Sequence, residues 1–194
     1  GWHQAAVARL TSQVGAKNKF NLYYDWQYTE FGNCFQPNYL TAISACALSK
    51  NVPQYVGAAN WSSPVSNKLL LEAGYSINIE RLTQFYQPGI RQVPFSAAWY
   101  ANAARQDLVL NTLKTAAATE TANLPNMYSV SGSASYVTGT HNVKAGAQWL
   151  FGRVGYQYSA NADLVQLYRS GVPDSVRAYN TPTEFYTDVS QNIG

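Results

Sequence analysis

The chain has 194 residues and a net charge of +3; only 12% of its residues are charged, and Tyr (15) outnumbers Phe (7). That length fits one domain or a piece of a larger one, and the charge density is far below the about 25% usual for soluble domains. The weak, scattered positive charge excludes a nucleic-acid footprint, and no apolar run reaches the roughly 18 residues of a membrane helix.

Residues 6–14 alternate, with Ala8, Leu10, Ser12 and Val14 on one face and Val7, Arg9, Thr11 and Gln13 on the other. Such a period of two predicts a strand. GAKNK (15–19) is a polar turn rich in residues that accept left-handed angles. KFNLYYDWQY (19–28) is the clearest strand: Phe20, Leu22, Tyr24, Trp26 and Tyr28 oppose Asn21, Tyr23, Asp25 and Gln27. Gly32, Asn33, Pro37, Asn38 and Pro53 then mark a long loop over residues 30–54. Cys34 and Cys46 lie within it; with no C-x-x-C and no histidine cluster nearby, a disulfide in an oxidising compartment is expected rather than zinc, free thiols being the alternative.

A weaker strand over 55–63 carries Gly57, Ala59 and Trp61 on one face, and PVSNK (64–68) is a second short turn. Residues 69–80 alternate well, with Leu69, Leu71, Ala73, Tyr75, Ile77 and Ile79 opposing Leu70, Glu72, Gly74, Ser76 and Asn78. A second long excursion covers 81–126; its Ala-rich middle, 97–118, fits a helix and irregular loop equally well. Strands are expected over 127–137 and 142–152, joined by TGTH (138–141). A third polar, Tyr-rich excursion spans 153–184 and contains a hairpin of 163–169 with 175–179, closed by Gly171, Val172 and Pro173. A last strand begins at Phe185.

Short turns therefore follow the first, third and fifth strands, and long excursions follow the second, fourth and sixth. Short turns at one end and long loops at the other are the layout of an up-and-down outer-membrane β-barrel, with strands of about 9–11 residues. The charges inside the strands, Arg9, Asp25, Glu72 and Lys144, all fall on the less apolar parity. A charge on a lipid face near the midplane costs roughly 2–4 kcal/mol, whereas one facing a wet lumen costs little. Arg153 shares parity with Trp149 and Phe151 but lies past the expected strand end. Trp26, Tyr28, Trp149 and Phe151 sit towards the long-loop ends and Phe20 and Trp61 near the short turns, the places of two aromatic girdles. A soluble β core uses the same parities and stays open at this point.

Four stretches, RLTSQVGAKNKFNLYYDWQ (9–27), SPVSNKLLLEAG (63–74), SYVTGTHNVKAGAQ (135–148) and ADLVQLYRSGVPDSVRAYNTP (162–182), resemble the barrel of Oar-like TonB-dependent receptors. In order, they span nearly the whole chain. The resemblance implies a regulatory-like N-terminal domain, a plug and a barrel of about 22 strands, of which this chain would hold roughly seven as an internal segment over 1–194, without plug or signal peptide. It also implies import of a large or scarce ligand, driven by the TonB complex, with partners in outer-membrane lipid and the remaining barrel. Location in the bacterial outer membrane follows from the same resemblance.

No catalytic motif, cofactor signature or metal-ligand spacing occurs. His3 and His141 are the only histidines; Ser131, Ser133 and Ser135 line a strand face with no base beside them, and Asp25 with Glu72 reads as solvated charge rather than an acid–base pair. Tyr156, Tyr158, Tyr168 and Tyr179 are candidates to stack on a ligand, or to pack the loops together. Two further readings stand beside the receptor: a small closed barrel acting as an adhesin or structural protein, and a secreted carbohydrate-binding sandwich with Leu22, Trp26, Leu71 and Ile77 buried against a second sheet.

Overall fold

The computed structural model describes residues 1–32, 34 and 40–193, so the loop markers Asn33, Pro37 and Asn38 lie outside the described residues, as does Gly194. The chain is all-β. Its strands are β1 (Trp2–Val14), β2 (Asn18–Phe31), β3 (Leu48–Pro64), β4 (Leu69–Ile79), β5 (Leu82–Phe85), β6 (Ala104–Asp107), β7 (Thr112–Lys114), β8 (Glu120–Thr138), β9 (His141–Ser159), β10 (Leu164–Arg169), β11 (Val172–Ala178) and β12 (Thr183–Ile193). One short helix, α1 (Ala97–Ala101), precedes β6.

Seven strands form an antiparallel meander in the order β1-β2-β3-β4-β8-β9-β12, with β5 continuing the line of β4 between β3 and β8. Among the described residues β1 and β12 do not pair with each other, so the sheet is open. β3 carries one extra residue between Asn51 and Gln54, seen as a register shift against β2 between Gln27 and Thr29. Such a bulge bends a strand and increases its twist.

Several expected boundaries move outwards. β8 starts at Glu120 rather than at Met127, and β9 runs to Ser159 rather than to Gly152. Pro125 reads as a strand breaker because it has no N–H. Here it sits opposite Glu80, where β4 gives way to β5, and it takes part through its carbonyl, which accepts the Glu80 N–H at 3.0 Å. β9 also carries Arg153, which is inside the strand and not beyond it; its guanidinium meets Asp188 of β12 at 2.8 Å. The Ala-rich 97–118 stretch is mostly not helical. Ser96 caps a single turn through the Trp99 N–H at 3.1 Å, and the chain then leaves for β6 and β7. The expected hairpin is present as β10 and β11, closed by Ser170 and Gly171, both at positive φ, with Val172 and Pro173 already in the strand.

β6, β7, β10 and β11 make a second small sheet in the order β11-β10-β6-β7, in which β6 and β10 run parallel. With the 86–103 and 160–163 segments it forms a cap at the long-loop ends of β8 and β9. The cap holds nearly all of the apolar core: Tyr86, Ile90, Ala104, Ala116, Ala117, Val165 and Leu167 pack together, and Trp99, Ala103 and Ala162 form a smaller cluster beside them. Cys34 and Cys46 are joined in a disulfide, Cα to Cα 4.8 Å, which ties the first long loop beside the short turn at 43–45. The meander itself contributes no fully buried large apolar side chain among the described residues.

Candidate functional site

The register of the meander assigns each side chain to a face. Arg9 pairs with Tyr23, two residues from Asp25; Ser62 pairs with Glu72; Glu72 pairs with Ser133; Ser135 pairs with Lys144. With a side-chain period of two, Arg9, Asp25, Glu72 and Lys144 therefore share one face. They gather into two groups rather than one. Lys144 Nζ lies 2.6 Å from Glu72 Oε2, which also accepts from Ser133 Oγ at 3.0 Å. Forty or more residues upstream in the chain, the Tyr23 hydroxyl and the Gln27 amide both donate to Asp25 Oδ2 at 3.0 Å, and the Arg9 guanidinium lies 5.1 Å from the Tyr23 ring centroid. Between the groups runs a polar groove of about 540 Å³, walled by Asn21, Asn60, Ser131 and Gln148. Its floor needs glycine: a Cβ on Gly74 would stand 2.7 Å from Ser131 Oγ, and one on Gly146 would stand 2.7 Å from the Gly132 carbonyl.

The opposite face is largely apolar and, among the described residues, bare; the paired Arg153 and Asp188 lie on it beyond Phe151. Leu22 is 46% exposed, Val143 62% and Trp149 52%, so the burial that a two-sheet sandwich requires is missing. Trp26, Leu71 and Ile77 are half-buried by neighbours in their own sheet. The girdle residues fall at two levels of this face. Phe20 and Trp61 stand two and three positions from the short-turn ends of β2 and β3, whereas Trp26 and Trp149 stand eight, and Tyr28 and Phe151 ten, from the short-turn ends of β2 and β9. Phe151 stacks on Tyr128 of β8 at 5.6 Å. Their spacing lies within the about 9–11 residues a tilted strand uses to cross a bilayer.

The four candidate loop tyrosines do not form one platform. Tyr156 and Tyr158 belong to β9, on the face of Leu150, where both stack on Phe185 at 4.9 and 6.2 Å. Tyr168 lies in β10 with its hydroxyl on Gln166 at 3.3 Å, and Tyr179 packs against the cap core.

The cap has polar anchors that strand periodicity could not show. Glu120, buried at the start of β8, accepts the Tyr86 N–H at 2.7 Å and is gripped by Arg91 through Nε, at 2.9 Å to Oε2, and through Nη2. The Tyr86 hydroxyl donates to the Ser159 carbonyl at 3.2 Å and accepts the Asn161 N–H at 2.7 Å. Burial pushes the Tyr86 phenol up to about 12. Asp107, buried at the end of β6, accepts four backbone N–H groups: Val109, Leu110 and Ser170 on Oδ1, and Gly171 on Oδ2. Those bonds, Leu110 foremost, hold its carboxyl below the usual aspartate range. One carboxylate thus closes both the β6–β7 turn and the β10–β11 hairpin. An Asp opening a turn is a sequence signal for the first of these roles, but not for the second.

Among the described residues no group of three His, Cys, Asp or Glu is placed to hold a metal ion, and no helix is long and apolar enough to cross a membrane. Compared with protein-family models, curated proteins and solved structures, the chain matches none.

Proposed function

We propose that the chain is a section of the wall of an outer-membrane β-barrel of the TonB-dependent receptor kind, and that it serves energised import of a large or scarce ligand. The carrying observation is a single-layered sheet in which the mid-strand charges Arg9, Asp25, Glu72 and Lys144 share one face, while the other is apolar, aromatic-belted and uncovered by any protein layer among the described residues, with the Arg153–Asp188 pair on it only beyond Phe151, towards the long-loop end. In water an exposed apolar area of this kind is unfavourable, while in hydrocarbon it is the ordinary outer surface of a barrel. On this reading Arg9, Asp25, Glu72 and Lys144 face the lumen. The Phe20, Trp26, Tyr28, Trp61, Trp149 and Phe151 rings anchor the wall at the two lipid boundaries. β1 and β12 pair with further strands, a plug fills the lumen and couples to the TonB complex, and the cap lies outside the cell, where it meets the ligand. The bare edges favour this over a self-contained small barrel, because closure would need β1 and β12 side by side.

Fractionation of native cells tests the reading. The protein should sediment with the outer membrane, stay there through alkaline carbonate washing and be released by detergent. In bilayers of brominated lipid, a variant keeping only Trp149 should be strongly quenched and one keeping only Trp99 should not. Recovery of the native protein in the aqueous supernatant, with Trp149 unquenched, overturns it.

A further inference from the structure

Where the cap meets the ends of β8 and β9 there is a cleft of about 360 Å³, with Phe95, Trp99, Arg91 and Asp163 on its walls. It adjoins a second hollow of about 200 Å³ across the Arg91–Glu120 pair, reaching Phe85 and Glu184. Three features distinguish this trough from a gap between loops.

The first is an aromatic wall held under strain. Phe95 is 77% exposed and lies at φ 66°, a left-handed region that a bulky residue adopts only under strain. Its ring meets Trp99 edge-on, centroids 5.2 Å apart, and Trp99 is buried beneath it. Nothing in the core needs Phe95, so the strain serves to present a ring at the mouth.

The second is a fixed donor. Arg91 uses Nε and Nη2 on the buried Glu120, which leaves Nη1 without a partner among the described residues and immobilises the guanidinium. The third is a fixed acceptor. Asp163 takes the Thr181 hydroxyl on Oδ1 at 2.8 Å, and Thr181 in turn accepts the Ala160 N–H at 3.1 Å, leaving Oδ2 free among the described residues.

Apolar ring faces beside one pinned donor and one pinned acceptor match a sugar. The C–H face of a pyranose packs on an aromatic ring, while neighbouring hydroxyls donate to a carboxylate and accept from a guanidinium. The two adjoining hollows provide for more than one ring. We infer that this trough is a saccharide-binding site for an oligosaccharide of two or three residues. The inference rests on the receptor reading only for its role, the capture of ligand outside the cell; the binding itself needs only the cap.

Calorimetric titration of the detergent-solubilised full chain with maltotriose, chitotriose and xylotriose, and with trialanine as the peptide control, tests it. At least one trisaccharide should bind and shift the emission of a variant whose sole tryptophan is Trp99. Phe95→Ala and Asp163→Asn should each weaken that binding about tenfold, with exchange protection of the Val165 amide unchanged to show an intact cap. Silence from all three sugars, sugar binding that ignores both substitutions, or response to trialanine alone overturns it. Because no bilayer is used, these results are independent of where the native protein fractionates.

Discussion

The meander and the cap solve the same problem in opposite ways. The cap hides its apolar side chains from water inside itself: Val165 is 0% exposed, and Tyr86, Ile90, Ala116 and Leu167 close around it. The meander hides little; Val143 and Leu22 lie open on one face, and order comes from its ladders and from polar contacts, most of them on the other. Packing quality is therefore a property of the cap alone, and whatever stabilises the apolar face of the meander must come from its surroundings.

The sharpest way to break this contrast is to remove the anchor between the two. Glu120→Ala leaves the buried Tyr86 N–H without its partner and removes the charge-assisted bonds from the exposed Arg91, and should cost the cap about 3–4 kcal/mol. Amide exchange should show protection lost at 104–107 and 164–169 but kept across the β2–β3 ladder. Next in size, Ala59→Arg and Asn60→Arg test the two faces one residue apart. In phospholipid bilayers the first should lose roughly 2–4 kcal/mol in refolding titrations and the second close to none; equal losses would abolish the distinction between the faces.

Smaller again, Tyr86→Phe removes two buried hydrogen bonds and should cost about 1–3 kcal/mol at neutral pH. It should also change the alkaline response. The folded state holds the Tyr86 proton more tightly than the unfolded chain, which releases it near 10.0, so that share of stability is intact below pH 10 and declines as pH rises towards 12. Base titration of cap unfolding should be steeper for the wild type than for the Phe variant. Smallest of all, Lys144→Met should change stability by about 0–1 kcal/mol, since the pair with Glu72 is solvent-accessible.

The meander was largely legible because strand faces are written locally. Phe20, Leu22, Tyr24 and Trp26 repeat every two residues, and the pairing register keeps Asp25, Glu72 and Lys144 opposite to them. The cap was not legible, since its order is made by partners far apart in sequence. β6 has four residues, too few to show a period, and it is defined by parallel pairing of Ala104 with Val165. Arg91 finds Glu120, and Asp107 finds Gly171, by tertiary packing that no window of the sequence reveals. Tyr156 and Tyr158 read as loop residues because the stretch from Arg153 on is polar and Tyr-rich. In the sheet a Cβ on Gly152 would collide with the Asn126 carbonyl, so the glycine belongs to the strand's close approach to β8 and does not end it.

β8 and β9 pair without a single slip from Thr138 and His141 to Glu120 and Ser159. Nineteen residues on each side make a ribbon of about 60 Å whose far end bears the carboxylate that grips Arg91. With no bulge or break along it, this hairpin behaves as a stiff lever: a tug on the trough is transmitted to the TGTH tip with no joint between to absorb it.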